Sequence, residues 1–147
     1  MAETLRVIAP EAGLRLLRCA PDGGRGFLGL DPVTRNDSAL ALRLTERQAH
    51  LFTFGESTVL AAAVSEHNPR QAEVAVSSDD GEGLLVLLEH LRLYSRCTSF
   101  TAEAGADSPA AQALTDCGFE LVGVLREHAF RSGHYHDVQL YHLDWSA

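Results

Sequence analysis

The last third of the chain reads Ser108-Pro-Ala-Ala-Gln-Ala-Leu-Thr-Asp-Cys-Gly-Phe119, Glu120-Leu-Val-Gly-Val-Leu-Arg-Glu-His-Ala-Phe130, Arg131-Ser-Gly-His-Tyr135 and His136-Asp-Val-Gln-Leu-Tyr-His-Leu-Asp-Trp145. Pro109 suits the first turn of a helix, and Gly118 ends it. An apolar strand follows, then a tight turn at Gly133 and an alternating strand that closes the chain.

Upstream, the signal stays sharp as far as His50. Leu51-Phe-Thr-Phe54 reads as a strand and Gly55-Glu-Ser57 as a turn; Thr58–Glu66 is an apolar run of strand length. After a turn at Asn68-Pro-Arg70, Gln71–Ser77 alternates as a strand, so three antiparallel strands form a meander. Gly81–Arg96 is an amphipathic helix with Leu84, Leu87, Leu88 and Leu91 at helical spacing. Thr98–Ala104 is a strand and Pro109–Cys117 a helix. The first 49 residues are poorly defined. Leu14-Arg-Leu-Leu-Arg18 fits a strand or a helical turn, and Pro21-Asp-Gly-Gly24 is a turn. Asn36-Asp-Ser38 suits a helix cap over Ala39–Gln48, but Leu40-Ala-Leu-Arg-Leu44 also alternates like a strand. The order β-β-β-α-β-α-β-β implies one α/β domain over residues 1–147, a mixed, mostly antiparallel sheet flanked by helices.

A net charge of −8, with arginine as the sole basic residue besides histidine, argues against nucleic acid, whose phosphates demand a basic surface. It is compatible with a cationic acceptor such as an amine, and equally with plain solubility. No apolar run approaches the ~20 residues of a membrane-spanning helix. Met1-Ala-Glu-Thr-Leu5 shows no signal-peptide pattern. Cys19, Cys97 and Cys117 lack CxxC spacing and read as reduced, buried thiols of a cytoplasmic protein.

The order of elements over residues 50–147, with its Gly-Phe helix end, Gly-Val-Leu-Arg strand, Gly-x-Tyr turn and Tyr-x-Leu strand, resembles the GNAT superfamily of CoA-dependent N-acyltransferases, in particular the RimJ/RimL-like branch. The resemblance implies an acyl-CoA-dependent N-acyltransferase, with acetyl-CoA as co-substrate and a primary amine as acceptor. Its pantetheine arm would lie where the fourth strand splays from the fifth, with backbone N–H of Val74 or Val76 polarising the thioester. Its pyrophosphate would meet the strand-to-helix loop, here Ser78-Asp-Asp-Gly-Glu-Gly83, through Ser78, Gly81, Gly83 and Leu84. Glycines let the backbone approach an anion, but Asp79, Asp80 and Glu82 surround the place, and charges ~6 Å apart repel by roughly 3 kcal/mol at an effective dielectric of ~20. Asp at a helix start is also what ordinary capping prefers.

Glu73 on the fourth strand is the family-implied base; alone, it also reads as an exposed strand residue. The family's acidic tyrosine corresponds to Leu114, which cannot donate a proton, and Tyr135 and Tyr141 read as packing or as substitutes. His128, His134, His136 and His142 read as surface residues or as an acceptor-side base, and no metal site is expected. Asp137 is expected to accept hydrogen bonds around the closing turn. Dimers are frequent in the family, so the oligomer it suggests is a homodimer. The departures at Ser78, the acidic loop and Leu114 leave a second reading: a GNAT-fold protein without transferase activity, serving as a binding or assembly partner.

Overall fold

The computed structural model describes residues 4–20, 23–33, 35–131 and 133–145. Seven strands form one sheet in the order β1-β2-β3-β4-β5-β7-β6. They are β1 (Leu5–Ile8), β2 (His50–Phe54), β3 (Thr58–Val64), β4 (Gln71–Val76), β5 (Ser99–Gly105), β6 (Glu120–Arg131) and β7 (His134–Asp144). Helices α1 (Pro10–Arg18) and α2 (Asp37–Glu46) cover one face, and α3 (Gly81–Tyr94) and α4 (Pro109–Asp116) cover the other.

The open question at residues 40–44 is settled by capping. Asn36 Oδ1 accepts the Ala39 N–H at 2.9 Å, and Leu40 and Leu44, one helical turn apart, are both buried. Residues 14–18 likewise belong to α1, which starts at Pro10 and buries Leu14 and Leu17 against Leu51, Val59 and Ala61. The short strand β1 carries no signal in the sequence, because half of its four residues are exposed and its order comes from pairing with β2. Cys19 is exposed rather than buried, since it follows the last turn of α1; Cys97 is buried and Cys117 half-buried, and all three are free thiols.

On the other face, Leu84, Leu87, Leu88 and Leu91 of α3 pack on Phe52, Phe54, Leu60, Val74 and Phe100. Full burial of each leucine contributes roughly 1.5–3 kcal/mol relative to exposure. The end of α4 explains the Gly-Phe pair. Gly118 takes φ +93°, its N–H bonds to Thr115 O, and Phe119 N–H reaches back to Leu114 O at 3.0 Å. That is a Schellman closure with buried Leu114 and Phe119 as its apolar partners.

One pairing positions the site. The β4–β5 pair is parallel while all the others are antiparallel, and it holds only from Gln71↔Ser99 to Glu73↔Thr101. Beyond Glu73 the two strands splay, and the sheet is open at its centre.

Candidate active site

The peptide groups of β4 alternate in direction. Ser65 N–H bonds to Gln71 O and Ser77 N–H to Val59 O, so odd-numbered residues from 71 to 77 address β3. The N–H groups of Val74 and Val76 therefore point toward β5, Val74 at the last rung of the pairing, Glu73↔Thr101, and Val76 beyond it at the splay. Ala102, Ala104 and Gly105 of β5 line the opposite wall, and Leu114 closes the α4 side as a buried apolar contact. The segment Gly24–Phe27 lies across this gap and leaves about 20 Å³ free. Positive φ at Gly24 (80°) and Gly26 (85°) lets that segment bend close to β4.

Glu73 points to the α1/α2 face, where Arg47 Nη2 donates to both of its carboxylate oxygens at 2.5 Å. Arg47, just past the end of α2, also donates through Nη1 to Leu28 O. Leu28 is buried at φ +50°, a left-handed conformation that costs an L-residue roughly 1–2 kcal/mol. One guanidinium thus ties the loop over the splay to the strand beside it. Both Glu73 oxygens are committed to it.

The second carboxylate of this face, Glu103 on β5, is not singled out by the sequence. It lines the splay and two open cavities, one of about 260 Å³ shared with His128, Asp31 and Phe130, the other of about 410 Å³ shared with Val122, Leu140 and His142. Burial pushes the Glu103 carboxyl up from its ordinary value, the neighbouring Glu73 charge pushes it further, and His128 and Arg47 pull it partly back. Glu103 is thus a half-buried carboxylate with its affinity for a proton raised, between the narrow slot at the splay and open cavities. The available signal was alternation: in Ser99-Phe-Thr-Ala-Glu-Ala-Gly105 every second residue is buried, and Glu103 is the one charged group on the other side.

The remaining sequence candidates fall elsewhere. His142 Nε2 meets Ser99 Oγ at 2.9 Å. His134 and His136 are exposed on β7, and no group of three metal-ligating side chains occurs among the described residues. Asp137 Oδ1 accepts the Glu127 N–H at 2.8 Å, as expected of a turn residue. The buried Tyr141 hydroxyl donates to Gln139 Oε1 at 2.6 Å, and burial raises its pKa, while Tyr135 is exposed.

At the start of α3, Asp80 is the N-cap: its Oδ1 accepts the Gly83 N–H at 2.9 Å and its Oδ2 accepts from Thr58 Oγ1 at 3.0 Å. Ser78 Oγ accepts the Asp80 N–H. Gly81, Gly83 and Leu84 belong to the helix itself, so the connection from Val76 is only Ser77 to Asp80. Of the two sequence candidates on β4, the Val76 N–H is the one left beyond the last rung, where the thioester end of an acyl-CoA could meet it once Gly24–Phe27 moves aside. The residues present do not fit its diphosphate, whose seat at the helix end holds a carboxylate.

Solved structures share this architecture over nearly the whole chain. A spermidine N-acetyltransferase chimera of Vibrio cholerae SpeG and hSSAT aligns at a TM-score of 0.73 with 16% identity, covering 99% of this chain and 97% of that one. RimL, the ribosomal L7/L12 alpha-N-protein acetyltransferase in complex with coenzyme A, aligns at 0.70 with 16% identity, covering 98% and 94%. The chain has the GNAT fold. The V. cholerae spermidine N-acetyltransferase in complex with CoA and spermine shares that GNAT fold at a TM-score of 0.66 and 18% identity, over 98% of this chain and 96% of that one. By sequence, no protein-family model and no curated protein matches. The resemblance seen in residues 50–147 thus extends in three dimensions through the N-terminal third, which carries the α1/α2 face of the GNAT sheet.

Proposed function

We propose that this protein is an N-acyltransferase that moves an acyl group, acetyl in the first instance, from an acyl-CoA thioester to a primary amine, with Glu103 as the base. The observation that carries this reading is the place of Glu103, at the splay and facing both open cavities, with its proton affinity raised. A raised carboxyl sits closer to working pH and is a better proton acceptor for an ammonium group than an ordinary glutamate. Glu73 is paired with Arg47 and Asp31 with Arg25, so Glu103 is the carboxylate these cavities offer to a cationic acceptor.

The donor supplies an activated carbonyl. The Val76 N–H, beyond the last β4–β5 rung, is aimed to polarise it and to hold the oxyanion formed when the amine nitrogen attacks. Glu103 takes the ammonium proton, which frees the nitrogen lone pair. As the carbon–sulfur bond breaks, the attacking nitrogen gives up its second proton to solvent, the amide forms, and the departing thiolate takes a proton from solvent, since Leu114 offers no acid. Gly24–Phe27 has to lift from β4 for the arm to enter, a motion that its glycines permit. Relatives by fold act on spermidine and on a ribosomal protein N-terminus, so polyamines and peptide α-amines are the first acceptors to screen. Free thiols at Cys19, Cys97 and Cys117 support a cytoplasmic setting.

A second reading is favoured by the carboxylate at the helix end, Leu114 and the narrow slot: a GNAT-fold assembly partner without turnover. The edge strand β6 supports it, and also a homodimer, by exposing Leu121, Val122 and Val124. Thiol release from acetyl-CoA across an amine panel separates the two. Turnover that disappears in Glu103→Gln supports transfer by this site. No turnover with any amine, together with a stable complex captured through β6, supports the partner.

A further inference from the structure

The connection from β4 to α3 turns its amides inward. Asp80 N–H donates to Ser78 Oγ at 3.2 Å, Gly81 N–H to Asp79 O at 2.9 Å, Gly83 N–H to Asp80 Oδ1 at 2.9 Å and Leu84 N–H to Asp80 O at 3.2 Å. Of the first-turn amides that a diphosphate would meet at this helix N-terminus, those of Gly81 and Gly83 are taken, and only Glu82 N–H, on an acidic residue, is left without a protein partner among the described residues. The Asp80 carboxylate is also fixed from behind, because the buried Thr58 hydroxyl on β3 donates to its other oxygen. Gly83 has to be glycine for this arrangement, because a Cβ there would come within 2.9 Å of Asp80 Oδ2 and 3.0 Å of the Phe54 ring.

The surrounding charge has the same sign. Asp79 and Glu82 are exposed on either side of Asp80, and Asp116 of α4 lies against Gly81. A neighbouring thiol registers this field. Cys117 Sγ donates to Gly81 O, and burial first, then the Asp116 and Asp80 charges, push the thiol up to about 11. At the other end of the slot no carboxylate faces a neutral arm: once Gly24–Phe27 lifts, the Val76 N–H faces the small side chains of Ala102 and Ala104 on β5.

We propose that the acyl donor is held by its pantetheine arm and thioester alone, and that Asp80 keeps a diphosphate out of the helix end, so that S-acyl-pantetheine thioesters serve as donors at least as well as acyl-CoA. This specificity rests on the thioester-transfer reading above. It makes Asp80 a specificity-determining residue that acts by exclusion.

Titration calorimetry of the whole protein with S-acetyl-pantetheine and with acetyl-CoA, at low and moderate salt, tests it. The expected result is affinities within about threefold of each other at moderate salt, with acetyl-CoA the weaker at low salt where repulsion is least screened. Asp80→Ser keeps a capping oxygen and removes the charge. It should tighten acetyl-CoA about tenfold and leave S-acetyl-pantetheine within about twofold. Acetyl-CoA binding about tenfold tighter than S-acetyl-pantetheine in the unmodified protein would overturn the proposal while leaving thioester transfer standing. Binding of neither donor would overturn both. If Asp80→Ser does not fold, the comparison of the two donors on the unmodified protein still decides.

Discussion

The two ends of the central cleft handle charge in opposite ways. At the start of α3 the cap is satisfied by protein groups: the Asp80 carboxylate has the Gly83 amide and the Thr58 hydroxyl of β3, and the Asp80 amide has Ser78. On the α1/α2 face, two carboxylates, Glu73 and Glu103, share the one guanidinium of Arg47, and Glu73 takes both contacts with its Nη2. The first end is locally satisfied, which stabilises a helix and leaves little for a ligand. The second keeps an imbalance that an incoming cation can relieve. Chemistry is better sought where the chain leaves its charges unresolved than where a motif has the right glycines.

The sharpest break of this comparison is Glu103→Gln. We expect kcat with a competent amine to fall by about 10²- to 10⁴-fold, the usual range for loss of a general base. Stability should move the other way. A carboxyl whose folded pKa is raised binds its proton more tightly in the folded state, so ionising it at neutral pH destabilises the fold. The glutamine variant should therefore melt higher than the parent near pH 7, with the gain fading as pH falls through the raised value to the ordinary carboxylate range. A variant that loses activity but gains no stability would mean that Glu103 is not held in an unfavourable environment.

Removing the shared cation comes next. Arg47→Ala deletes a positive charge that holds the Glu103 carboxyl down, so the acid limb of the kcat/KM profile should shift to higher pH. It also frees the Leu28 carbonyl and both Glu73 oxygens, for a loss of about 1 kcal/mol after solvent screening of this partly exposed pair. An unmoved acid limb would separate Glu103 from the network. With Glu103 as the proposed base, Glu73→Gln is expected to cost only about threefold to tenfold in kcat/KM, because the Glu73 carboxylate is engaged in anchoring the Arg47 guanidinium. If its effect equals that of Glu103→Gln, the two roles are reversed. The smallest effect is that of Asn36→Ala, which removes the cap of α2: about 1 kcal/mol in thermal stability and less than twofold in rate, since Arg47 lies at the far end of that helix.

The C-terminal half was legible because its signals are local. Pro109, Gly118 and the leucines of α3 each fix a helix start, a helix end or a face within one or two turns. The loop from Ser78 to Gly83 was legible as an acidic helix start, but whether its carboxylates faced out or in depended on Thr58, which lies on another strand. Glu103 stayed hidden for the same reason. Its environment is assembled from Gly29, Arg47, Glu73 and His128, which are dispersed along the chain and meet only after the sheet forms. The N-terminal third resisted because its order is borrowed: β1 exists by pairing with β2, and the Gly24–Gly29 turns rest on β4 and β5.

The short β4–β5 pairing has a consequence for how the molecule breathes. Three residue pairs join the sheet half β1–β4 to the half β5–β7. Val76, though nearly inaccessible in side chain, turns its amide toward the unzipped side, while the Val74 amide closes the last rung to β5 and Ala75 between them is locked to Ala61. In deuterium exchange the end of the strand should therefore be uneven, with amide 76 labelling well before 75, and amide 74 following at the rate at which the two halves of the sheet part.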